Sequence, residues 1–305
     1  MQLKNIPIDK SIGAILVHNI VGADGRKAFS KGHLIRAEDI EKLGALGKAT
    51  VYAAVLDPDD VREDDAAARL ARAVAGDGIE LSKPSGGRVN LYATSKGFLK
   101  INRDALKQIN GLSGVTLATI PRYSPLAPRK MIATLKTVGL ALPEATLRDA
   151  EEIVAARGKV LSIAAAQNEK VAVILTGSAN GKAKVQEMFA PPIRARIEEL
   201  GAQVIAEEYV AEEENAIAEA IDRAARAGAQ MIILAGETSV MDADDITPRG
   251  IQRAGGVIEL YGAPVEPGNL LLLAYRGDMP IIGAPGCIKS RETNVVDLIL
   301  PRLLI

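Results

Sequence analysis

The chain has 305 residues, of which 48% are hydrophobic and 25% are charged, and its formal net charge is −1. This is the composition of an ordinary globular protein, and the length is sufficient for two domains. The near balance of charges excludes a strongly basic surface for nucleic acid, and three Phe, six Tyr and no Trp leave few rings on which bases could stack. A nucleic-acid partner is therefore not expected.

The cysteine and histidine content limits covalent and metal chemistry. The single cysteine, Cys287, excludes a disulfide within the chain and is typical of a reducing cytosol. His18 and His33 have no second Cys or His nearby in the sequence, so the spacing of a zinc site does not occur. The first residues lack the apolar core of a signal peptide, and no apolar run reaches membrane-spanning length. We therefore expect a cytoplasmic protein without a membrane partner.

Short strands dominate the pattern in the first half of the chain. The expected strands are residues 14–20, 26–35, 48–56, 87–93, 98–101, 115–120 and 130–142. The expected helices are residues 38–47, 57–75 and 103–109. This pattern predicts a β-rich α+β domain over residues 1–150, and a helical stretch at residues 147–166 is expected to connect it to a second domain.

The second half of the chain alternates strands with helices. The expected strands are residues 171–175, 204–209, 231–235 and 256–261, followed by an edge hairpin of residues 270–274 and 280–282. The expected helices run from Pro191 or Pro192 to residue 200, then over residues 214–227, 246–254 and 291–303. This alternation predicts an α/β domain with a parallel sheet over residues 169–305, with its ligand beyond the carboxyl ends of the strands.

Glycine-bearing loops follow the predicted strands at residues 176–182, 236–248 and 284–290. The first could be compared with a nucleotide-binding P-loop, which has four residues between its glycines and then Lys and Ser or Thr. Only three residues separate Gly177 from Gly181 here, and Ala183 follows Lys182. This spacing argues against a P-loop.

The second loop carries the richest set of polar side chains. Gly236 follows a buried strand directly, so a ligand could approach its backbone. Gly236→Val is expected to abolish ligand binding while changing the melting temperature far less than a core truncation would. The hydroxyls and carboxylates that follow are Thr238, Ser239, Asp242, Asp244 and Asp245. Spacing alone favours a structural role for the acids, because Asp244 or Asp245 would cap a helix that begins near Ile246.

Further motifs occur in a fixed order with this loop. Thr176-Gly177 precedes it, and Pro267-Gly268-Asn269 and the Gly-Ala-Pro-Gly-Cys of residues 283–287 follow. Together these segments resemble the molybdopterin adenylyltransferase and molybdotransferase superfamily over residues 170–305. Residues 245–248, Asp-Ile-Thr-Pro, resemble the adenylyltransferase Asp-Val-Thr-Pro, whereas counting from Gly236 puts Asp244 at the place of the molybdotransferase aspartate. Both alignments stay open.

The resemblance implies that the second domain binds molybdopterin or the finished molybdenum cofactor. The implied ligand contacts are Thr176, Gly177, Gly236, Thr238, Ser239, Gly268, Pro285, Gly286 and Cys287. In an enzyme of this superfamily Asp242, Asp244 and Asp245 would be catalytic, with Asp244 and Asp245 holding Mg²⁺. The resemblance also implies a homo-oligomer that works with a molybdoenzyme or a cofactor nucleotidyltransferase.

Several residues depart from the superfamily pattern. Glu237 replaces the second glycine of its Gly-Gly loop, Ser178 and Ala179 replace an acidic pair, and Cys287 and Ile288 replace Asn-Pro. Since such enzymes hold Mg²⁺ through carboxylates, the missing acids favour binding over catalysis. We therefore expect a protein that binds the cofactor during its biosynthesis, maturation or delivery. A Mg²⁺-dependent molybdopterin nucleotidyltransferase or molybdotransferase, and a non-catalytic assembly module that lost the site, are the alternatives.

Overall fold

The computed structural model describes residues 1–238, 240–242 and 244–305. The chain divides into two compact units, Met1–Ala164 and Ala165–Ile305. Among the described residues, no helix is both long enough and apolar enough to span a membrane.

The first unit consists mainly of short antiparallel strands. Its strands are β1 (Gln2–Pro7), β2 (Ile15–Leu16), β3 (Ile20–Val21), β4 (Lys27–Phe29), β5 (Thr50–Val55), β6 (Asp60–Arg62), β7 (Ile79–Leu81), β8 (Arg88–Ala93), β9 (Gly97–Ile101), β10 (Val115–Thr119), β11 (Pro125–Leu126), β12 (Met131–Thr137), β13 (Ala141–Pro143) and β14 (Leu161–Ala164). Its helices are α1 (Asp39–Ala45), α2 (Glu63–Val74), α3 (Arg103–Ile109) and α4 (Glu144–Arg157). The strand orders are β1-β5-β2, β10-β12-β8-β7, β11-β9-β14, β13-β6 and β3-β4.

Helix α2 packs into the core of this unit because its small and aliphatic side chains fall on one face. The buried residues of α2 are Ala66, Ala67, Leu70, Ala71 and Val74. Helix α4 buries Leu147 and Ala150 in the same core, and β14 pairs with β9. The stretch at residues 147–166, predicted as a connector, is therefore mostly part of the first unit.

The start of α2 differs from the sequence-based expectation. Residues 57–60 were expected to cap a helix running to about residue 75, but Asp60–Arg62 forms β6 and pairs with β13 in the register Asp60↔Pro143. The helix begins only at Glu63. A strand partner that lies far along the chain provides the backbone hydrogen bonds here, and local capping signals do not reveal it.

The second unit is an α/β layer structure. Its strands are β15 (Lys170–Gly177), β16 (Gln203–Ala211), β17 (Met231–Gly236), β18 (Val257–Tyr261), β19 (Leu272–Arg276) and β20 (Met279–Gly283). Its helices are α5 (Lys182–Glu199), α6 (Glu214–Arg226), α7 (Ile246–Arg253) and α8 (Val295–Leu303), with a 3₁₀ turn at Gly286–Lys289. The strand order is β16-β15-β17-β20-β19-β18. Strands β16, β15, β17 and β20 pair in parallel, and β19 is antiparallel to both of its neighbours.

These two architectures confirm the predicted fold class, an α/β unit with a largely parallel sheet preceded by a β-rich α+β unit. Strands β15 and β17 lie where the sequence predicted them, because each contains a continuous apolar run. Val171 to Leu175 and Met231 to Ala235 are all buried. Parallel strands place their carboxyl ends at one edge, where ligands of such sheets bind.

Two helices of this unit begin elsewhere than predicted. Helix α5 starts at Lys182, and Pro191 and Pro192 lie inside it rather than in its first turn. Helix α8 starts at Val295, four residues later than expected, and contains Pro301. In both helices buried apolar residues flank the prolines, so packing outweighs the lost backbone hydrogen bond.

Candidate functional site

The strands β15, β17 and β20 are adjacent in the sheet, and a narrow crevice opens at their carboxyl ends. It is lined by Thr176, Leu234, Ala235, Gly236, Thr238, Val240, Thr247, Gly283 and Ala284. Its volume is about 10 Å³, which is room for about one water molecule. Thr176, Gly236 and Thr238, three of the ligand contacts implied by sequence, therefore surround one small opening. A group larger than water would lie across its mouth.

Gly236 faces Thr176 across the parallel pair of β15 and β17. A Cβ atom on Gly236 would lie 2.0 Å from Thr176 Oγ1 and 2.9 Å from the Thr176 carbonyl oxygen. Thr176 is itself buried, so it has little room to move away. The strand pair therefore needs a glycine at this position. We therefore expect a side chain at position 236 to lower stability, whether or not a ligand is bound.

The loop between β15 and α5 is occupied by the side chain of Glu237. Glu237 Oε2 accepts hydrogen bonds from the backbone amide and the hydroxyl of Ser178, each at 2.9 Å. The Ser178 amide, then its hydroxyl, hold the pKa of the Glu237 carboxyl below its usual value of 4.5. The carboxylate is therefore charged at neutral pH. This contact links the first two glycine-bearing loops, which are separated in sequence by 59 positions.

The neighbouring side chains hold these loops in place. Tyr209 of β16 donates from its hydroxyl to the carbonyl oxygen of Ser178 at 2.6 Å. Burial and then the carboxylates of Glu237 and Glu212 raise the pKa of Tyr209, so it keeps its proton. Thr238 donates its hydroxyl to a carboxylate oxygen of Glu212, which follows β16. Loops after three adjacent strands are thus joined by side-chain hydrogen bonds.

Two of the three predicted catalytic acids bond to amides of their own loop. Asp245 is the N-cap residue of α7, and its carboxylate accepts from the amides of Ile246 at 2.8 Å and Met241 at 3.2 Å. Asp242 accepts from the amide of Asp244 at 2.9 Å. Within the described part of the chain, no three His, Cys, Asp or Glu side chains are grouped so that they could hold a metal ion. The capping interpretation therefore accounts for Asp245, and the structure offers no support for the Mg²⁺ ligands predicted at Asp244 and Asp245.

The other predicted contacts lie in different places. Gly177 lies beside Glu237, and Ser239 lies outside the described residues. Pro285, Gly286 and Cys287 directly follow Ala284 of the crevice, with Pro285 as the N-cap residue of the 3₁₀ turn. Cys287 is partly buried, and this burial raises the pKa of its thiol.

Gly268 is explained by packing. It has φ +120°, and a Cβ atom there would lie 2.3 Å from Val295 Cγ1, at the first residue of α8. The Val295 amide also donates to the Pro267 carbonyl oxygen at 3.0 Å. The glycine therefore permits close contact between this turn and α8, whether or not a ligand is near.

Sequence reasoning missed Arg196, which fixes the segment after β20. Arg196 is only 5% exposed, and its guanidinium donates to Asp297 at 2.8 Å and to the carbonyl oxygens of Ile288 at 2.9 Å and Ser290 at 2.7 Å. It thereby ties α5 to the 3₁₀ turn and to the first turn of α8. An arginine late in a helix usually lies in solvent, so nothing local marks it. The roles of Tyr209 and Glu212 had no sequence signal either.

Two segments of the chain match known families. Residues 172–304 match the family described as "Probable molybdopterin binding domain". Residues 5–55 match a family described as a domain of unknown function. A search of curated proteins gave no match.

Three solved structures that are similar to the chain each cover less than half of it. A CinA protein of unknown function from Thermoplasma acidophilum is 16% identical, with TM-score 0.37, over 44% of this chain and 98% of that one. The molybdopterin biosynthesis enzyme MoaB from Thermus thermophilus is 20% identical, with TM-score 0.33, over 43% and 89%. The molybdopterin biosynthesis Mog protein from Mycobacterium ulcerans is 20% identical, with TM-score 0.33, over 45% and 97%.

Proposed function

We propose that the second unit, whose residues 172–304 match the probable molybdopterin-binding domain family, binds molybdopterin or the finished molybdenum cofactor. The family match carries this proposal and supports a general role in molybdenum-cofactor biosynthesis. The crevice at the carboxyl ends of β15, β17 and β20 supports its location, because open α/β sheets bind ligands at this edge.

The chemistry of the crevice suits one end of a polar heterocyclic ligand. Thr176 and Thr238 carry hydroxyls, and the backbones of Gly236 and Gly283 also line the opening. Val240 and Ala284 give apolar surface against which a ring can pack. Since the cavity holds about one water molecule, the ring lies across its mouth in this proposal, next to the turn that contains Cys287.

Binding is favoured over catalysis by the contacts of the acidic residues. Asp242 and Asp245 accept hydrogen bonds from amides of their own loop. A Mg²⁺-dependent nucleotidyltransferase or molybdotransferase needs carboxylate oxygens directed at the metal. The proposed role is therefore maturation or delivery of the cofactor, with a molybdoenzyme or a cofactor nucleotidyltransferase as partner and self-association of the chain as a further expectation.

Native mass spectrometry of the freshly purified full chain tests this proposal. A retained mass equal to that of molybdopterin, with or without molybdenum, is the expected result. If the protein carries no pterin, even after incubation with isolated molybdopterin, pterin binding is contradicted. A non-catalytic assembly module is then the remaining function. Conversion of bound molybdopterin to a nucleotide or metal-bearing form on addition of ATP or CTP, molybdate and Mg²⁺ would instead establish the enzyme.

A further inference from the structure

The loop between β15 and α5 is shaped around a carboxylate. Cβ atoms added to Gly177 and Gly181 would approach Glu237 side-chain atoms to 2.9 Å and 2.6 Å. Glycines at both positions therefore make the space that Glu237 fills. Alanine at either position would push the carboxylate out or force the loop to move.

The contacts of this carboxylate are those that would bind another small anion. Glu237 accepts from the amide and the hydroxyl of Ser178, and the Ser178 hydroxyl oxygen accepts from the Gly181 amide at 3.1 Å. The loop leads into α5, an 18-residue helix whose positive end points toward this region. Lys184 adds positive charge nearby. A phosphate oxygen and a carboxylate oxygen accept the same hydrogen bonds, so they compete for these donors.

Glu237 is also placed to control access to the crevice. It stands between Gly236 and Thr238, which both line the opening. Its carboxylate ties this chain segment to Ser178 of the β15–α5 loop. An anion that displaces Glu237 from Ser178 would be bound beside the crevice and would rearrange its rim.

We propose that Glu237 is an internal competitor for the anionic group of the ligand, occupying the β15–α5 loop until a phosphate group displaces it. This inference rests on the proposed function, because molybdopterin is the phosphate-bearing ligand in question. In this arrangement the free protein keeps the loop closed against small anions such as inorganic phosphate. Only a ligand whose other parts also bind at the crevice has enough affinity to expel the carboxylate.

The consequence is a larger affinity for phosphate when the carboxylate is removed. A site open in about one molecule in ten binds about tenfold more weakly than a site that is always open. Glu237→Ala is therefore expected to strengthen binding of inorganic phosphate and pyrophosphate by about tenfold or more. Glu237→Gln, which can still accept hydrogen bonds but carries no charge, is expected to fall between wild type and Glu237→Ala.

The test is a titration of the full-length chain with inorganic phosphate and then pyrophosphate, followed by the NMR shifts of the Ser178 and Gly181 amides. The matched control is Glu187→Ala, which removes an exposed carboxylate from α5 itself. Thermal unfolding checks that each variant is folded. Tighter binding in Glu237→Ala, with both amides shifting and the control unchanged, is the expected result.

Equal or weaker phosphate binding in folded Glu237→Ala would overturn the inference, as would an equal gain in the Glu187→Ala control. A parallel titration with isolated molybdopterin separates this result from the proposed function. If Glu237→Ala binds phosphate more tightly but no variant binds molybdopterin, Glu237 competes with anions in the loop, and the proposed pterin ligand is contradicted. If molybdopterin binds wild type and Glu237→Ala with equal affinity, the proposed ligand stands, and the proposed competition by Glu237 is contradicted.

Discussion

The hydroxyl oxygen of Thr176 occupies the space that a side chain on Gly236 would need, since a Cβ atom there would lie 2.0 Å from it. We predict that Gly236→Ala lowers the free energy of unfolding of the second unit by about 1–3 kcal/mol through overpacking. Adding Thr176→Ala should restore part of the loss, because it removes the nearest atom. Urea unfolding of the single and double variants measures both effects. Wild-type stability in Gly236→Ala would show that the strands have more room than their spacing indicates.

Gly236 and Gly268 illustrate why the candidate site was only partly predictable from sequence. The order of motifs along the chain located Thr176, Gly236 and Thr238, because strand ends in a parallel sheet converge on one edge. Gly268, however, contacts Val295. A glycine that lets a helix approach looks the same in sequence as one that lets a ligand approach.

The fold was predictable where the signal is local. Continuous apolar runs predicted β15 and β17 correctly. Pro191 and Pro192, however, suggested that α5 starts nine or more residues after its observed start at Lys182. Packing decides such cases, and packing partners lie elsewhere in the chain. The contact of Glu237 with Ser178 was unpredictable for the same reason, because it depends on a side-chain rotamer between loops 59 positions apart.

Arg196 is expected to be essential for the stability of the second unit. Arg196→Met would remove the guanidinium from the Asp297 carboxylate, which keeps the Asn294 amide as a donor, and from the carbonyl oxygens of Ile288 and Ser290. We predict that this costs about 3 kcal/mol. The matched control is Arg194→Met in the same helix, whose exposed ion pair with Glu207 is worth at most about 1 kcal/mol. Chemical denaturation compares the two variants. Equal losses in both would contradict the role assigned to the buried guanidinium.

Asp245 is predicted to act as a helix cap. Asp245→Ala should lower stability by about 1 kcal/mol, whereas Asp245→Asn should change it by only a few tenths because asparagine also caps well. Pterin affinity is expected to stay within about twofold in Asp245→Asn, since the amide oxygen can still accept the capping bond from Ile246, and only the longer bond from the Met241 amide is lost. Thermal unfolding and equilibrium titration provide the two readings. Magnesium-dependent turnover by the wild type that disappears in Asp245→Asn would replace the capping role with metal binding.

Arg69 joins α2 to α4, and we predict that its ion pairs make the stability of the first unit sensitive to acid. It donates to Glu151 at 2.6 Å and to Glu144 at 2.8 Å, and these bonds hold the pKa of both carboxyls below the usual 4.5. A lowered pKa contributes stability above the unfolded-state value and loses it as the pH falls through the folded-state value. Protection of α2 and α4 amides, corrected for intrinsic exchange rates, should therefore drop as the pH falls below 4.5.

The control for this acid effect uses a second arginine of α2. Arg69→Met should lower protection already at pH 7 and flatten its dependence on pH, whereas Arg72→Met, which removes an exposed arginine, should keep the wild-type profile. Hydrogen exchange measured by mass spectrometry resolves both helices. If amide protection in Arg69→Met depends on pH as it does in the wild type, carboxyl groups other than Glu144 and Glu151 cause the loss of stability in acid.

The most direct test of pterin binding at the crevice is a fluorescence titration of isolated molybdopterin with the full-length chain and two tryptophan variants. Thr238→Trp places a large ring at the crevice mouth, on an exposed residue, and removes the hydrogen bond to Glu212, so thermal unfolding checks that the variant is folded. Val257→Trp places the same ring on the exposed edge strand β18, where Val257 is 68% exposed. We predict saturable binding to the wild type and to Val257→Trp, and at least about tenfold weaker binding to Thr238→Trp, which corresponds to ~1.4 kcal/mol. No binding to the wild type, or equal affinity in all three proteins, would contradict a pterin site at this edge of the sheet.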